Sequence, residues 1–443
     1  MLFHALPKRL ALGAAFVCSA ASLSLPALAS MGNIGTTYGL LPSDIGSAQA
    51  LSMFNSQVST TYYNPAYLAK DPRGELTTGL LHASQELRAT GADRSGRVLS
   101  DTPSQHVLIG MKTDLSDLTR FGPPLYLGFV AGVEKYGMEL LAFESETSES
   151  GQFLHYGRQP LFLNIGGATT LWRGIDAGIS TRITLHSEAD LSTTTDLAGN
   201  TQQEQLSVQA KPSIRGIASI NLDFGKTFCP QGCWLSGFET AVAYRMASNT
   251  KTTVSANTVI PGLIPEEEPL NFTIVTYDSY QPSVIAVGLH YAAERWRVGV
   301  TVEQQNWSEL EDELAKDTVK DQANAQFRDI IVPRLGGSFQ LTQHFAISAG
   351  LAWQQSALKS DSTTDVNYFD NEKYIAGLGI TAELPRTRYL TYPVRVDLGY
   401  QRQMLKERDF IIDNSSPDST NNGTVVTTDG DIDVFSGSIS FKF

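Results

Sequence analysis

Apolar and polar side chains alternate from Gly74 to Phe443 in segments of roughly ten to fifteen residues, each followed by a polar connection. A period of two marks strands whose two faces meet different surroundings. In Trp296–Glu303, Trp296, Val298, Val300 and Val302 share one face, and Arg297, Gly299, Thr301 and Glu303 the other. The same split recurs at Phe345–Trp353 and at Tyr392–Tyr400. In the final segment Phe435, Ile439, Phe441 and Phe443 oppose Ser436, Ser438, Ser440 and Lys442. The pattern predicts about fourteen strands, at 74–88, 104–114, 124–137, 158–172, 174–188, 204–224, 233–254, 278–293, 296–307, 329–341, 345–358, 373–384, 393–409 and 431–443. Long connections fall near 89–103, 138–157, 189–203, 255–277, 308–328, 359–372 and 410–430; short ones fall near 173, 225–232, 294–295, 342–344 and 385–392.

A soluble sandwich would also alternate. Two features favour a membrane. The apolar faces begin or end in aromatics (Trp296, Trp353, Tyr392, Tyr400, Phe443), as interface girdles require. The opposite faces carry charge in mid-strand, at Arg182, Arg215, Glu239, Arg297, Arg334 and Arg395, which suits a lumen shielded from lipid. Long loops at one end and tight turns at the other complete the outer-membrane pattern. The expected fold is all-β, a transmembrane antiparallel barrel spanning 73–443. An even strand count returns Phe443 to the periplasmic side, where the amino-terminal segment is expected to begin.

That segment is the stretch Gly46–Ala69, GSAQALSMFNSQVSTTYYNPAYLA. It is too short for a domain, is rich in small residues, and includes Asn64, Pro65 and Ala66. Ahead of a closed β-structure, such a piece can fold inside and stop the hole. Residues 30–72 are therefore read as a plug. Before it, Lys8 and Arg9, the apolar run Leu10–Ala21 and the small-residue site Ala27-Leu28-Ala29 read as a secretory signal peptide over 1–29. This implies export to the outer membrane of a Gram-negative cell.

Without that leader the chain holds 31 basic and 46 acidic residues, a formal charge of −15. Nucleic acid is thereby disfavoured as a partner. No apolar run long enough for a spanning helix follows the leader. Cys229 and Cys233 are expected to form a small disulfide that pins a turn, since no His or further Cys lies near enough to complete a metal site. The histidines are scattered and no nucleophile or metalloprotease motif occurs, so neither catalysis nor a cofactor is expected.

The Gly46…Asn64-Pro65-Ala66 leader, the aromatic terminal strand and the strand spacing together resemble the FadL-type outer-membrane transporters of long-chain fatty acids and other hydrophobic compounds. Trp296–Trp307, Trp307-Ser308, Asp329–Gly337 and Arg334-Leu335-Gly336 are similar to that family's later strands. Tyr67 departs from it, standing where a small residue is usual after Asn-Pro-Ala. The resemblance implies capture of a hydrophobic ligand by outer loops, passage through an apolar lumen pocket, and sideways release beside a distorted third strand once the plug shifts. Gly128 and Gly132 in Leu125–Glu134 mark the expected gap, or else make room for plug side chains. Asn64 would then bond backbone that has lost its ladder partner.

Val259, Ile260, Leu263 and Ile264, followed by Glu266–Glu268, form the candidate capture loop, or pack on neighbouring loops. Ile217, Val284, Ile330, Val332 and Ile375 are candidate lumen contacts for a greasy ligand, or pack on the plug. Arg182 lies where the family places a basic residue near the ligand head group; the alternative is pairing with Glu239 or Asp397. Lipopolysaccharide, and the barrel-assembly machinery reading the Phe443 strand, are further expected partners of a monomer. Two rival readings stand. A polar-solute porin would lack the plug and carry a charged constriction loop, and a lipid-acting barrel enzyme would carry a triad facing lipid.

Overall fold

The computed structural model describes residues 33–443 apart from 92–93, 98–102, 119–121, 136–160, 196–200, 262–269, 315–325, 360–361, 365–369, 387–390 and 414–423. Fourteen strands follow one another in chain order: β1 Glu75–Gly91, β2 Ser104–Asp114, β3 Leu125–Lys135, β4 Leu161–Trp172, β5 Ile175–Thr195, β6 Thr201–Asp223 and β7 Phe238–Arg245. They continue with β8 Ser283–Ala292, β9 Trp296–Asn306, β10 Ile330–Gln340, β11 Phe345–Gln354, β12 Lys373–Leu384, β13 Val394–Asp413 and β14 Thr424–Lys442. Each pairs antiparallel with the next, and β14 pairs with β1 from Lys442↔Glu75 to Thr427↔Thr90. The sheet is thus a closed, edgeless barrel.

Two strand expectations need correction. Of the segment read as 233–254, only β7 belongs to the barrel wall. The chain then breaks at Met246–Ala247, and Ser248–Val259 runs on as one arm of a hairpin with Leu270–Gln281. That arm also pairs parallel to the outer end of β5, from Ser187↔Thr252 to Thr194↔Val259. Much of the region expected as a loop at 255–277 is therefore β-structure rising beyond the membrane. The segment read as 278–293 is likewise cut, at Pro282, whose missing N–H cannot serve a ladder.

The alternation was assigned to the correct faces. On β9, Val298, Val300 and Val302 are exposed to the outside, while Gly299, Thr301 and Glu303 are buried within. Outward Trp296, Phe339, Phe345, Tyr392 and Phe443 cluster at the end bearing the tight turns, and outward Tyr244, Tyr374 and Tyr400 lie towards the other. The end with the tight turns faces the periplasm.

The lumen holds residues 33–70. They fold as short helices α1 Ile34–Thr37, α2 Pro42–Gly46 and α3 Thr60–Tyr63, with 3-10 turns at Ser52–Phe54 and Pro65–Lys70. Asn33 caps α1, accepting from Thr36 N at 2.9 Å. Pro42 opens α2, and the Asp44 carboxylate reaches back to Leu41 N at 3.0 Å. The direction of the plug reverses the expectation. Asn33 already lies deep inside, hydrogen-bonded to Gln281, and the plug meets the periplasmic rim with its end, where Phe443 N donates to Gly74 O at 3.0 Å.

Candidate functional site

The site is the seam between plug and wall. At Ala48 and Gln49 the plug turns through left-handed backbone, with φ of 47° and 63°, a conformation that costs non-glycine residues energy. Neighbouring contacts fix it. Arg334 Nη1 donates to Ala48 O at 3.1 Å, Gln49 Nε2 to Thr36 O at 3.0 Å, and Thr301 Oγ1 to Ala50 O at 2.9 Å. Small residues are needed because main chain lies on main chain. A Cβ on Gly46 would come within 2.6 Å of Gly379 Cα, and one on Gly350 would overlap the Ser47 carbonyl.

Asn64, Pro65 and Ala66 sit against β4–β6. Ala66 N donates to Ser219 Oγ at 2.8 Å, and Gly178 leaves space for the Pro65–Ala66 backbone. Asn64 differs from expectation: its Nδ2 donates to Met53 O at 2.7 Å, inside the plug. Tyr67 is accommodated by Ala241, Ala243 and Ala286 on β7 and β8, with its ring edge-on to Phe54 at 5.9 Å. Lys70 closes the seam on three wall carboxylates, Asp223 at 3.1 Å, Glu239 at 3.2 Å and Asp176 at 3.7 Å.

Higher in the lumen, two buried ion clusters flank the plug. Glu303 accepts from Arg245 at 2.7 Å and from Arg334 at 3.1 Å. Arg182 pairs with Glu134 at 3.3 Å and lies 4.7 Å from the Phe162 ring centroid and 5.6 Å from that of Tyr62. The partner of Arg182 is therefore neither Glu239, which holds Lys70, nor Asp397, which takes Arg395 at 2.8 Å and Gln57 Nε2 at 3.1 Å. Tyr62 joins these clusters to the plug, its hydroxyl meeting Thr36 Oγ1 at 2.7 Å and Gln281 Oε1 at 2.5 Å.

The inward aliphatics are buried. Ile217 packs with Leu40, Leu41, Val58, Tyr62 and Tyr63 of the plug, and Ile375 with Ala48. Val284 and Val332 face inward beside the ion triad, opposite Arg245 and Glu303 in the ladders, and Ile330 lies one step further out, opposite Gln305. With the plug seated, Ile217 and Ile375 contact plug atoms. Val259 and Ile260 are half-buried at the tip of the hairpin arm; Leu263, Ile264 and Glu266–Glu268 lie outside the described residues. The Cys229–Cys233 disulfide is formed, with Cα atoms 5.8 Å apart.

Strand β3 is not broken. Its ladders to β2 and β4 run without a register shift from Gln105↔Lys135 to Asp114↔Tyr126 and from Leu125↔Thr169 to Val133↔Leu161. No bulge interrupts these ladders, and the glycines serve close approach. Gly128 abuts Thr61 and Leu68 of the plug, and a Cβ on Gly132 would lie 2.7 Å from the Phe162 ring. Even so, the outer face is distinctive. Outward Leu127, Phe129, Ala131 and Val133 are half-buried, whereas Val107 and Ile109 on β2 and Leu161 and Ile165 on β4 are exposed. Side chains on the lipid face of β3 are thus more covered than those on β2 and β4.

Several seam residues escaped sequence reasoning. Asp44 and Lys70 gave no signal beyond sitting in the plug. Glu134 ends the β3 segment and was not paired with Arg182, because partners on strands separated by a third are invisible to a period-two pattern.

Comparison with known proteins places this geometry. Residues 280–443 match the family model described as outer membrane protein transport protein (OMPP1/FadL/TodX). The chain is 55% identical over 440 residues to alkane uptake protein A of Marinobacter nauticus, covering 98% of this chain and 96% of that one. Among solved structures, a Pseudomonas aeruginosa FadL homologue aligns with a TM-score of 0.62 at 13% identity, covering 90% of this chain and 98% of that one. The P. putida toluene transporter TodX aligns with a TM-score of 0.54 at 11% identity, covering 92% and 99%.

Proposed function

The chain belongs to the FadL/TodX family of outer-membrane transporters of hydrophobic compounds, and from that premise we propose that its cargo is a neutral hydrocarbon, an alkane above all. It is a channel and not an enzyme. The observation that carries the choice of cargo is the state of the mid-lumen arginines. Arg182 is committed to Glu134, and Arg245 and Arg334 to Glu303. A fatty acid's carboxylate would compete with Glu134 and Glu303 for these guanidinium groups, and loss of either buried partner would cost about 3–5 kcal/mol. An alkane needs only apolar contact and gains by leaving water. The relative named for alkane uptake supports the same cargo.

In this reading the hydrocarbon is collected among the outer loops, with Val259 and Ile260 at the margin. It enters the lumen as the plug shifts, exchanging plug contacts at Ile217 and Ile375 for its own, with Val284 and Val332 beside it. It leaves sideways at β3, where the outward side chains are half-buried and Thr61 and Leu68 stand behind Gly128. The seated plug speaks against an open polar pore.

The test is growth on, and uptake of, n-hexadecane, toluene and oleate by a strain lacking the gene. The strain is complemented with wild type or with a Thr61→Cys/Gly128→Cys pair that ties plug to β3 when oxidised. Alkane uptake is expected to return with wild type, to stop in the oxidised pair and to resume on reduction. Oleate uptake that depends on the protein as strongly as hexadecane uptake overturns the choice of cargo. Undiminished uptake by the oxidised pair overturns the route.

A further inference from the structure

Two periplasmic turns are welded into a single projection. The β4–β5 turn at Arg173–Gly174 receives Thr227 Oγ1 on its Arg173 carbonyl at 2.9 Å and Asp223 N on its Gly174 carbonyl at 2.7 Å. The long β6–β7 turn supplies both donors. It contains helix α4, Phe224–Phe228, capped by Asp223 accepting from Lys226 N at 3.0 Å, and then the Cys229–Cys233 disulfide. Its far end is tied to the β8–β9 turn by Ala292 N donating to Gly237 O at 2.9 Å.

This rigid turn displays large apolar side chains where a water-facing loop would be polar. Trp234 is 79% exposed, Phe228 and Leu171 61%, and Trp172 60%. Their position says what covers them. Trp234 stands edge-on to Phe238 at 6.4 Å, Phe238 packs on Tyr291 at 4.5 Å, and Tyr291 on Trp296 at 5.3 Å. Phe238 alternates with inward Glu239, and Tyr291 with inward His290, so this aromatic chain lies on the lipid side of the wall. Trp234 continues the girdle downward without a gap. Beside it, Arg173, Lys226 and the backbone at Gly174, Gly225 and Gly232 line a cleft of about 540 Å³; Asp223 also lines it, shared between Lys70 at 3.1 Å and the exposed Lys226 at 3.8 Å. Aromatic rings flanked by cations match the boundary between acyl chains and phosphate groups.

We propose that the disulfide-pinned turn is a lipid-binding foot, seated in the periplasmic leaflet, with Trp172, Phe228 and Trp234 at the acyl boundary and Arg173 and Lys226 on phospholipid phosphate. The inference is independent of the cargo. The foot hangs under β4–β7, so it fixes the depth of the wall next to β3.

The test uses the full protein in phosphatidylethanolamine–phosphatidylglycerol vesicles, some brominated close to the head group. The emission of Trp234 is taken as the difference between wild type and Trp234→Phe, and that of Trp172 likewise from Trp172→Phe. Blue-shifted emission quenched by the bromolipid is expected for both. Cys229→Ser/Cys233→Ser should shift Trp234 emission towards its water value, and Arg173→Ser/Lys226→Ser should abolish its dependence on phosphatidylglycerol. Unquenched, water-like emission in wild type overturns the proposal. So does emission that is water-like in vesicles yet shielded in native outer-membrane fragments, which would assign the foot to a protein partner. An anionic-lipid dependence unchanged in the Arg173/Lys226 variant overturns the phosphate contact.

Discussion

Gly350 on β11 lies directly beneath the carbonyl of Ser47, close enough that a Cβ would overlap it. The wall is cut to the plug's main chain there. Gly350→Val is expected to lift the plug tip while leaving the barrel folded, since its strand pairing is untouched. Heat-modifiable migration should be normal and conductance in planar bilayers raised. Gly437→Val is the control, because the nearest atom to a Cβ there is 3.6 Å away and belongs to Leu398, outside the lumen; its conductance should match wild type.

Glu303 pairs with two buried arginines at once. Glu303→Gln leaves both without a carboxylate and should destabilise the protein by about 3–5 kcal/mol, read from urea unfolding in detergent. Exchanging Arg245 and Arg334 for Met in the same protein should recover most of the loss, because the stranded charges are then gone.

Tyr67 fills a recess made by three alanines. Tyr67→Ala should weaken plug seating by about 3–5 kcal/mol, the cost of emptying an aromatic site. Faster hydrogen exchange confined to residues 50–70 would report it. Exchange rising equally through the barrel strands would refute a local role.

The plug should loosen as pH rises. Burial pushes the Asp44 carboxyl up to about 6, against hydrogen bonds from Ser52, Asn55, Leu41 N and Ser59. Its protonated form suits the fold, so its contribution is complete below the ordinary value of 3.8 and is lost as pH climbs through about 6. Asp71 at the rim behaves oppositely. Burial would raise it, but hydrogen bonding from Arg73 and the charges of Lys112 and Arg73 hold it at about 2. Its contribution is present above 3.8 and is lost only as pH falls through about 2. Between about pH 5 and about pH 8 only Asp44 of this pair titrates. Channel-opening frequency should increase over that interval and stay flat in Asp44→Asn.

The barrel was legible because its signal is local. Val298, Val300 and Val302 against Thr301 and Glu303 declare a wall with lipid on one side, and Asn64-Pro65-Ala66 ahead of it declares a plug. What stayed hidden depends on contacts remote in sequence. Alternation continues through Thr252–Val259 although that arm has left the membrane, because a polar hairpin repeats every two residues as a wall strand does. The Arg182–Glu134 pair joins β5 to β3 across an intervening strand, and nothing in either segment names the other. The direction of the plug was also unreadable, since the same residues could enter the bore from either end.

Asn33 is enclosed on every side, held by Gln281 and Tyr62, while the first and last strands close the cylinder around it through Thr77↔Ser440 and their neighbours. A cylinder closed first would have to admit this segment past Lys70 and its three acids. The expected order is therefore entry of the cork before the first and last strands zip together, which timed oxidation of cysteine pairs placed across each contact would read.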